Sequence, residues 1–97
     1  MAESYTAPNN TLKQQREEVL GWAKQQLADF AKSLDIQLSA KTIERVERHE
    51  ASFARITFTR ILRTVNAARE NMKLPAIRLE ELFPTLIATS GGRKKKR

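Results

Sequence analysis

The chain of 97 residues has no cysteine, a single histidine, three glycines, three prolines and few aromatic side chains: one tryptophan, one tyrosine and four phenylalanines. Without cysteine it can build neither a disulfide framework nor a thiolate metal site, which suits a reducing compartment. His49 has no second ligand or catalytic partner near it in the sequence, so it reads as a surface or capping residue. No glycine-rich phosphate loop is present. The acid pairs Glu17-Glu18 and Glu80-Glu81 are adjacent, so on a helix their side chains point in different directions and act as ordinary surface acids. The expectation is a protein that is not an enzyme, with no catalytic residue, metal or cofactor. There is also no run of about 18 apolar residues to span a membrane, and the first residues lack the basic-then-apolar pattern of a signal peptide. An intracellular, cytoplasmic location is expected, with no membrane partner.

What is present is ordinary for a small globular unit: 40% hydrophobic and 30% charged residues, enough for one domain. The charge is uneven. Net charge is +7, and the five residues Arg93, Lys94, Lys95, Lys96 and Arg97 carry +5 of it, leaving the rest with 13 basic against 11 acidic residues. Such a run is either a solubilising tail on a nearly neutral domain or an arm that seeks a polyanion.

Met1 to Asn10, polar and without periodicity, reads as a disordered or loosely attached lead. Thr11 reads as an N-cap with Gln14 as a weak capping-box partner, opening a first helix from Leu12 to Leu20. Gly21 can end that helix. A second helix from Ala23 to Ser33 has Trp22, Leu27, Phe30, Ala31 and Leu34 on its buried stripe, with Trp22 as a core anchor. In the link Lys32 to Leu38 the helix frays after Leu34, and Ile36 and Leu38 tuck under the next helix; the alternation of Leu34, Ile36 and Leu38 with polar residues also fits a short extended piece. This third helix begins at Ser39, whose hydroxyl can accept a hydrogen bond from an amide two or three residues on. Ile43 and Val46 turn inward, while Lys41, Glu44, Arg45 and Arg48 form a polar stripe. A fourth helix, from Ser52 to Asn71, carries Phe53, Ile56, Ile61, Leu62, Val65 and Ala68. The strand propensity of Thr57, Phe58 and Thr59 is outweighed by that wider pattern. Leu74-Pro75 breaks it, and Leu79 to Phe83 makes a short fifth helix stopped by Pro84. The division is a lead at 1–10, a helical domain at 11–86 and a basic tail at 87–97.

From Leu12 to Phe83 the order and spacing of Leu12-Lys13, Arg16, Gly21-Trp22, Leu27-Ala28, Ala31, Ser39, Thr42-Ile43, Val46-Glu47-Arg48 and Leu79-Glu80-Glu81-Leu82-Phe83 resemble the Cro/repressor-type (Xre, lambda-repressor-like) helix-turn-helix family. The resemblance implies a compact, all-α domain of five helices. It also implies an ion pair between Arg16 and Glu47 that orients the first and third helices, and places Leu79, Leu82, Phe83 and Leu86 at a two-fold dimer contact or in the core. Three features differ from the family pattern: the connection from Lys32 to Leu38 is longer, Ala23 and Lys24 stand where serine and glutamine are usual, and His49 stands where a glycine ends the third helix.

A short helix that hides two aliphatics and presents hydrogen-bonding side chains at its amino end fits the DNA major groove, which admits one helix. Ala40, Lys41, Thr42, Glu44 and Arg45 are the candidate base readers. Lys41 and Arg45 can donate to guanine, Ala40 offers a methyl to thymine, and Glu44 can accept from cytosine. Lys24, Gln25, Ser39 and Arg48 are candidates for the DNA backbone, with the tail Arg93 to Arg97 following phosphates beside them. The expected function is a sequence-specific DNA-binding transcriptional regulator, a homodimeric repressor of the nucleoid that reads an inverted repeat in double-stranded DNA. Similar compact members of the family regulate mobile elements or their own promoters. Two alternatives stay open: the antitoxin of a toxin-antitoxin pair, with a toxin partner, and a protein-interaction adaptor on the same scaffold whose tail binds nucleic acid without sequence preference.

Overall fold

The computed structural model describes residues 4–48 and 52–88. In chain order these form β1 (Ser4–Thr6), α1 (Leu12–Gln14) running on as a π-helical segment (Gln15–Leu20), α2 (Lys24–Ser33), α3 (Ala40–Arg48), β2 (Phe53–Ala54), α4 (Arg55–Asn71), α5 (Leu79–Leu82) and β3 (Ile87–Ala88). The structure is mostly helical, with the five helices expected, but it is not all-α. β1 is the middle strand of a three-stranded antiparallel sheet, pairing Tyr5 with Phe53 on one side and with Ala88 on the other.

The sheet corrects both ends of the expected domain. The stretch expected to be a loose lead contains β1, and Ala7 behind it is 3% exposed. Ile87 and Ala88, assigned to the tail, form β3. The physical reason is that the strand partners of β1 lie far along the chain, so local composition carries no trace of them. Aromatic and hydroxyl side chains at Tyr5, Thr6 and Phe53 then favour the pleated backbone. Tyr5 and Phe53 pack on the core, and Phe53, Phe58 and Phe83 form an edge-to-face chain with centroids 6.3 and 5.0 Å apart.

Asn10 joins this end to the helices. Its carboxamide oxygen accepts from the Leu12 amide at 3.1 Å, and its Nδ2 donates to the carbonyls of Ala7 at 2.8 Å and Val46 at 2.9 Å. Thr11, expected to cap the first helix, instead donates its hydroxyl to the carbonyls of Glu81 and Leu82 and its amide to Leu82. Those are carbonyls that a four-residue helix leaves without intrahelical partners.

The helix ends follow sequence chemistry. Gly21 adopts φ 70°, ψ 32° and closes the π-helical segment, with the Trp22 amide bonding back to the Arg16 carbonyl at 2.9 Å. α2 starts after Ala23, whose amide is bonded by the Gln26 side chain at 2.7 Å. It ends with Asp35 at φ 65° and the Ile36 amide on the Ala31 carbonyl, a turn that drives Ile36 into the core side. α4 begins three residues later than expected because Phe53 and Ala54 are taken by the sheet. The shift changes its inner face: Ile56 is 52% exposed, and Phe58, at 1%, takes the core position beside Ile61, Val65 and Ala68.

Candidate nucleic-acid interface

α3 is the element on which the candidate residues converge. Ser39 caps it: the Ser39 Oγ accepts from the Thr42 amide at 3.1 Å and donates to the Thr42 Oγ1 at 3.0 Å. Beneath, Ile43 and Val46 are 0% and 2% exposed, each contributing about 1.5–3 kcal/mol of burial. α2 and the first helix pack against this inner face.

The orientation of α3 is held by one buried ion pair. The Arg16 guanidinium donates to Glu47 through Nε to Oε2 at 2.7 Å and Nη2 to Oε1 at 3.1 Å. Its Nη1 donates to the Trp22 carbonyl at 2.9 Å, and Nη2 also reaches Glu17 at 3.2 Å. The side chains of Arg16 and Glu47 are 5% and 4% exposed, whereas Glu17 is half exposed. The hydrogen bond to Glu47 raises the Arg16 pKa above its ordinary value against the opposing effect of burial. The contact implied by the family resemblance is thus present, and with it the register between the first helix, the Gly21 turn and α3.

On the outer face, pairing sorts the charges. Glu44 and Arg48 form an (i, i+4) ion pair at 3.1 Å, so the acid offsets a neighbouring cation instead of standing alone toward an approaching anion. Lys41 and Arg45 are exposed, four residues apart on one face, and among the described residues neither side chain has a hydrogen-bond or ion-pair partner. Ala40 is half-buried and contributes to the packing under the start of the helix. Thr42 is half-buried, its hydroxyl turned to Ser39.

The structure brings Gln25, Ser39, Ala40 and Lys41 onto one open groove of about 680 Å³ between α2 and the start of α3. Lys24, Thr42, Glu44, Arg45 and Arg48 lie outside that groove. Gln25 is partly engaged, donating to Asp29 at 2.9 Å. The same groove is lined by Lys32, Asp35 and Gln37, which the sequence pattern marks as a connection only. Their signal is the length of that connection: residues 34–39 separate α2 from α3, against about three to four residues in a tight helix-turn-helix. Asn10 likewise carries no sequence signal for this role, although its bond to the Val46 carbonyl supports the C-terminal end of α3.

The expected dimer residues divide. Leu82 and Phe83 are 0% and 2% exposed within the single chain, so core packing accounts for both, while Leu79 and Leu86 are half-buried against the same core. Arg93, Lys94, Lys95, Lys96 and Arg97, and also His49, lie outside the described residues. Among the described residues no helix is long and apolar enough to cross a membrane, and no cluster of three or more histidine, aspartate or glutamate side chains could hold a metal ion. Comparison of the chain with protein-family models, with curated proteins and with solved structures finds no match.

Proposed function

We propose that the chain is a helix-turn-helix, sequence-specific DNA-binding transcriptional regulator, a homodimeric repressor acting on nucleoid DNA through an inverted repeat. One observation carries this reading. The exposed face of a capped, rigidly seated α3 presents Lys41 and Arg45, while the other charges of the helix are paired, Glu47 with Arg16 and Glu44 with Arg48. Two unpaired donors one helical turn apart suit guanine edges in the major groove, and Lys24 and Gln25 at the start of α2 suit phosphates beside it. The basic run Arg93 to Arg97 adds affinity that falls with salt and carries no sequence information.

The test is selection of bound sequences from a random duplex pool at about 0.15 M salt, followed by binding of Lys41→Ala and Arg45→Ala to the selected site. The expected result is an enriched inverted repeat, with each substitution weakening binding roughly 5- to 150-fold, the equivalent of about 1–3 kcal/mol per base contact. Unchanged affinity in both variants would overturn the assignment of α3 as the reading helix. The long connection 34–39 and the acid Glu44 on the outer face favour a second reading, a protein-interaction adaptor. That reading expects no enriched site and retention that collapses as salt rises.

A further inference from the structure

A second groove, of about 570 Å³, runs along the C-terminal half of α4 and shares Ile36 with the groove that Lys41 lines. Ile36 forms its floor, Leu62, Ala67 and Leu74 line it, and Leu34, 39% exposed, stands at its rim. Its far wall is pinned: Asn66 exchanges two hydrogen bonds with the Ile77 backbone at 2.9 and 3.0 Å, and Arg69 Nε donates to the Pro75 carbonyl at 2.8 Å. Those bonds hold the backbone of that wall in place before the groove is filled.

Arg63 and Glu70 also line the groove. Both are exposed, and among the described residues neither side chain has a hydrogen-bond or ion-pair partner. Seven residues apart, they lie about 10 Å apart along the helix axis and only about 20° apart around it. One ridge thus carries a cation at one end, an anion at the other and Ala67 near the middle.

We propose that this face binds a second copy of the chain, with two α4 helices crossing antiparallel about a two-fold axis near Ala67. That symmetry sets Arg63 of each copy against Glu70 of the other, an isologous contact, and the small Ala67 lets the helices approach closely. Leu34 and Leu74 of each copy are then covered. A partner of a single charge sign would meet one favourable and one repulsive end, whereas an antiparallel copy of the same face is complementary at both. The proposal rests on the DNA-binding function only for the expectation that two copies act together. It is tested without DNA, so its failure is separable from a failure of DNA reading.

The experiment is sedimentation equilibrium of the full chain with Arg63→Glu, Glu70→Arg and the double swap, with circular dichroism confirming the helical fold of each. The parent is expected to dimerise. Each single variant places like charges at both ends of the contact and weakens self-association by about tenfold or more. An equimolar mixture of the two single variants forms the heterodimer, and the double swap restores the homodimer. Because the chain has no cysteine, Ala67→Cys provides an independent readout: a short thiol crosslinker should yield a covalent dimer. A parent that stays monomeric up to high micromolar concentration overturns the proposal, as do single variants that associate like the parent, or failure of Ala67→Cys to crosslink.

Discussion

Replacing one partner of the Arg16–Glu47 pair should be strongly destabilising, because it leaves the other charge buried without its counter-ion. In Arg16→Met the Glu47 carboxylate, 4% exposed, is left without its counter-ion and without both of its guanidinium donors. The loss is expected at the upper end of the range for a broken buried pair, about 5 kcal/mol. In Glu47→Ala the stranded group is the guanidinium, which keeps the Trp22 carbonyl and the half-exposed Glu17, so the expected loss is about 3 kcal/mol. A domain of this size has about 5–15 kcal/mol in all, so either variant is marginal. With a urea dependence of about 1–3 kcal/mol per M, a loss near 4 kcal/mol lowers the unfolding midpoint by roughly 1–4 M. The double replacement Arg16→Met/Glu47→Leu removes both charges together and should unfold within about 1 kcal/mol of the parent, or above it. The arginine adds no pH dependence at ordinary pH. Its folded pKa is raised, so its contribution is complete below the unfolded value and is lost only as pH rises from there through the folded value, far into alkali. Urea unfolding monitored by far-ultraviolet circular dichroism checks all three variants. A Glu47→Ala midpoint within error of the parent, or a double variant less stable than Arg16→Met, would refute the reasoning.

Two further substitutions test the local arguments. Ser39→Ala removes the acceptor for the Thr42 amide and should cost about 1 kcal/mol, seen as a melting temperature lower by about 4–8 °C. Phe58→Ala empties the centre of the aromatic chain with Phe53 and Phe83 and should cost about 3–5 kcal/mol. Ile56→Ala, two residues away but 52% exposed, should stay within about 0.5 kcal/mol of the parent in the same urea titration.

The helices were legible because their signals are local. Ser39 before an inward Ile43 and Val46, Gly21 after Leu20, and Leu74-Pro75 after the α4 stripe each act within one or two turns, where side chain and backbone meet by chain geometry alone. The Arg16 and Glu47 contact was available only through the order of family-like residues, since nothing local joins positions 31 apart. The same limit explains the misassigned ends. Ser4-Tyr5-Thr6 has no periodicity long enough to register as a strand, and its partners Phe53, Ile87 and Ala88 are remote. Once β2 claims Phe53 and Ala54, α4 starts later and Phe58 displaces Ile56 from the core; at the start of the first helix, Asn10 accepts from the Leu12 amide and Thr11 makes no capping bond.

The sequence by itself determined the number of helices, the Ser39 cap, the Gly21 and Pro75 breaks and the polar face of α3, because hydrogen bonding to neighbouring amides and the 3.6-residue period depend on near neighbours only. Tertiary structure alone decided the sheet that pairs β1 with β2 and β3 and the burial of both Leu82 and Phe83 in the single chain. Those outcomes depend on which distant groups the packed chain brings together, since a buried polar group or an unpaired strand edge is stable only with a partner supplied from elsewhere in the fold.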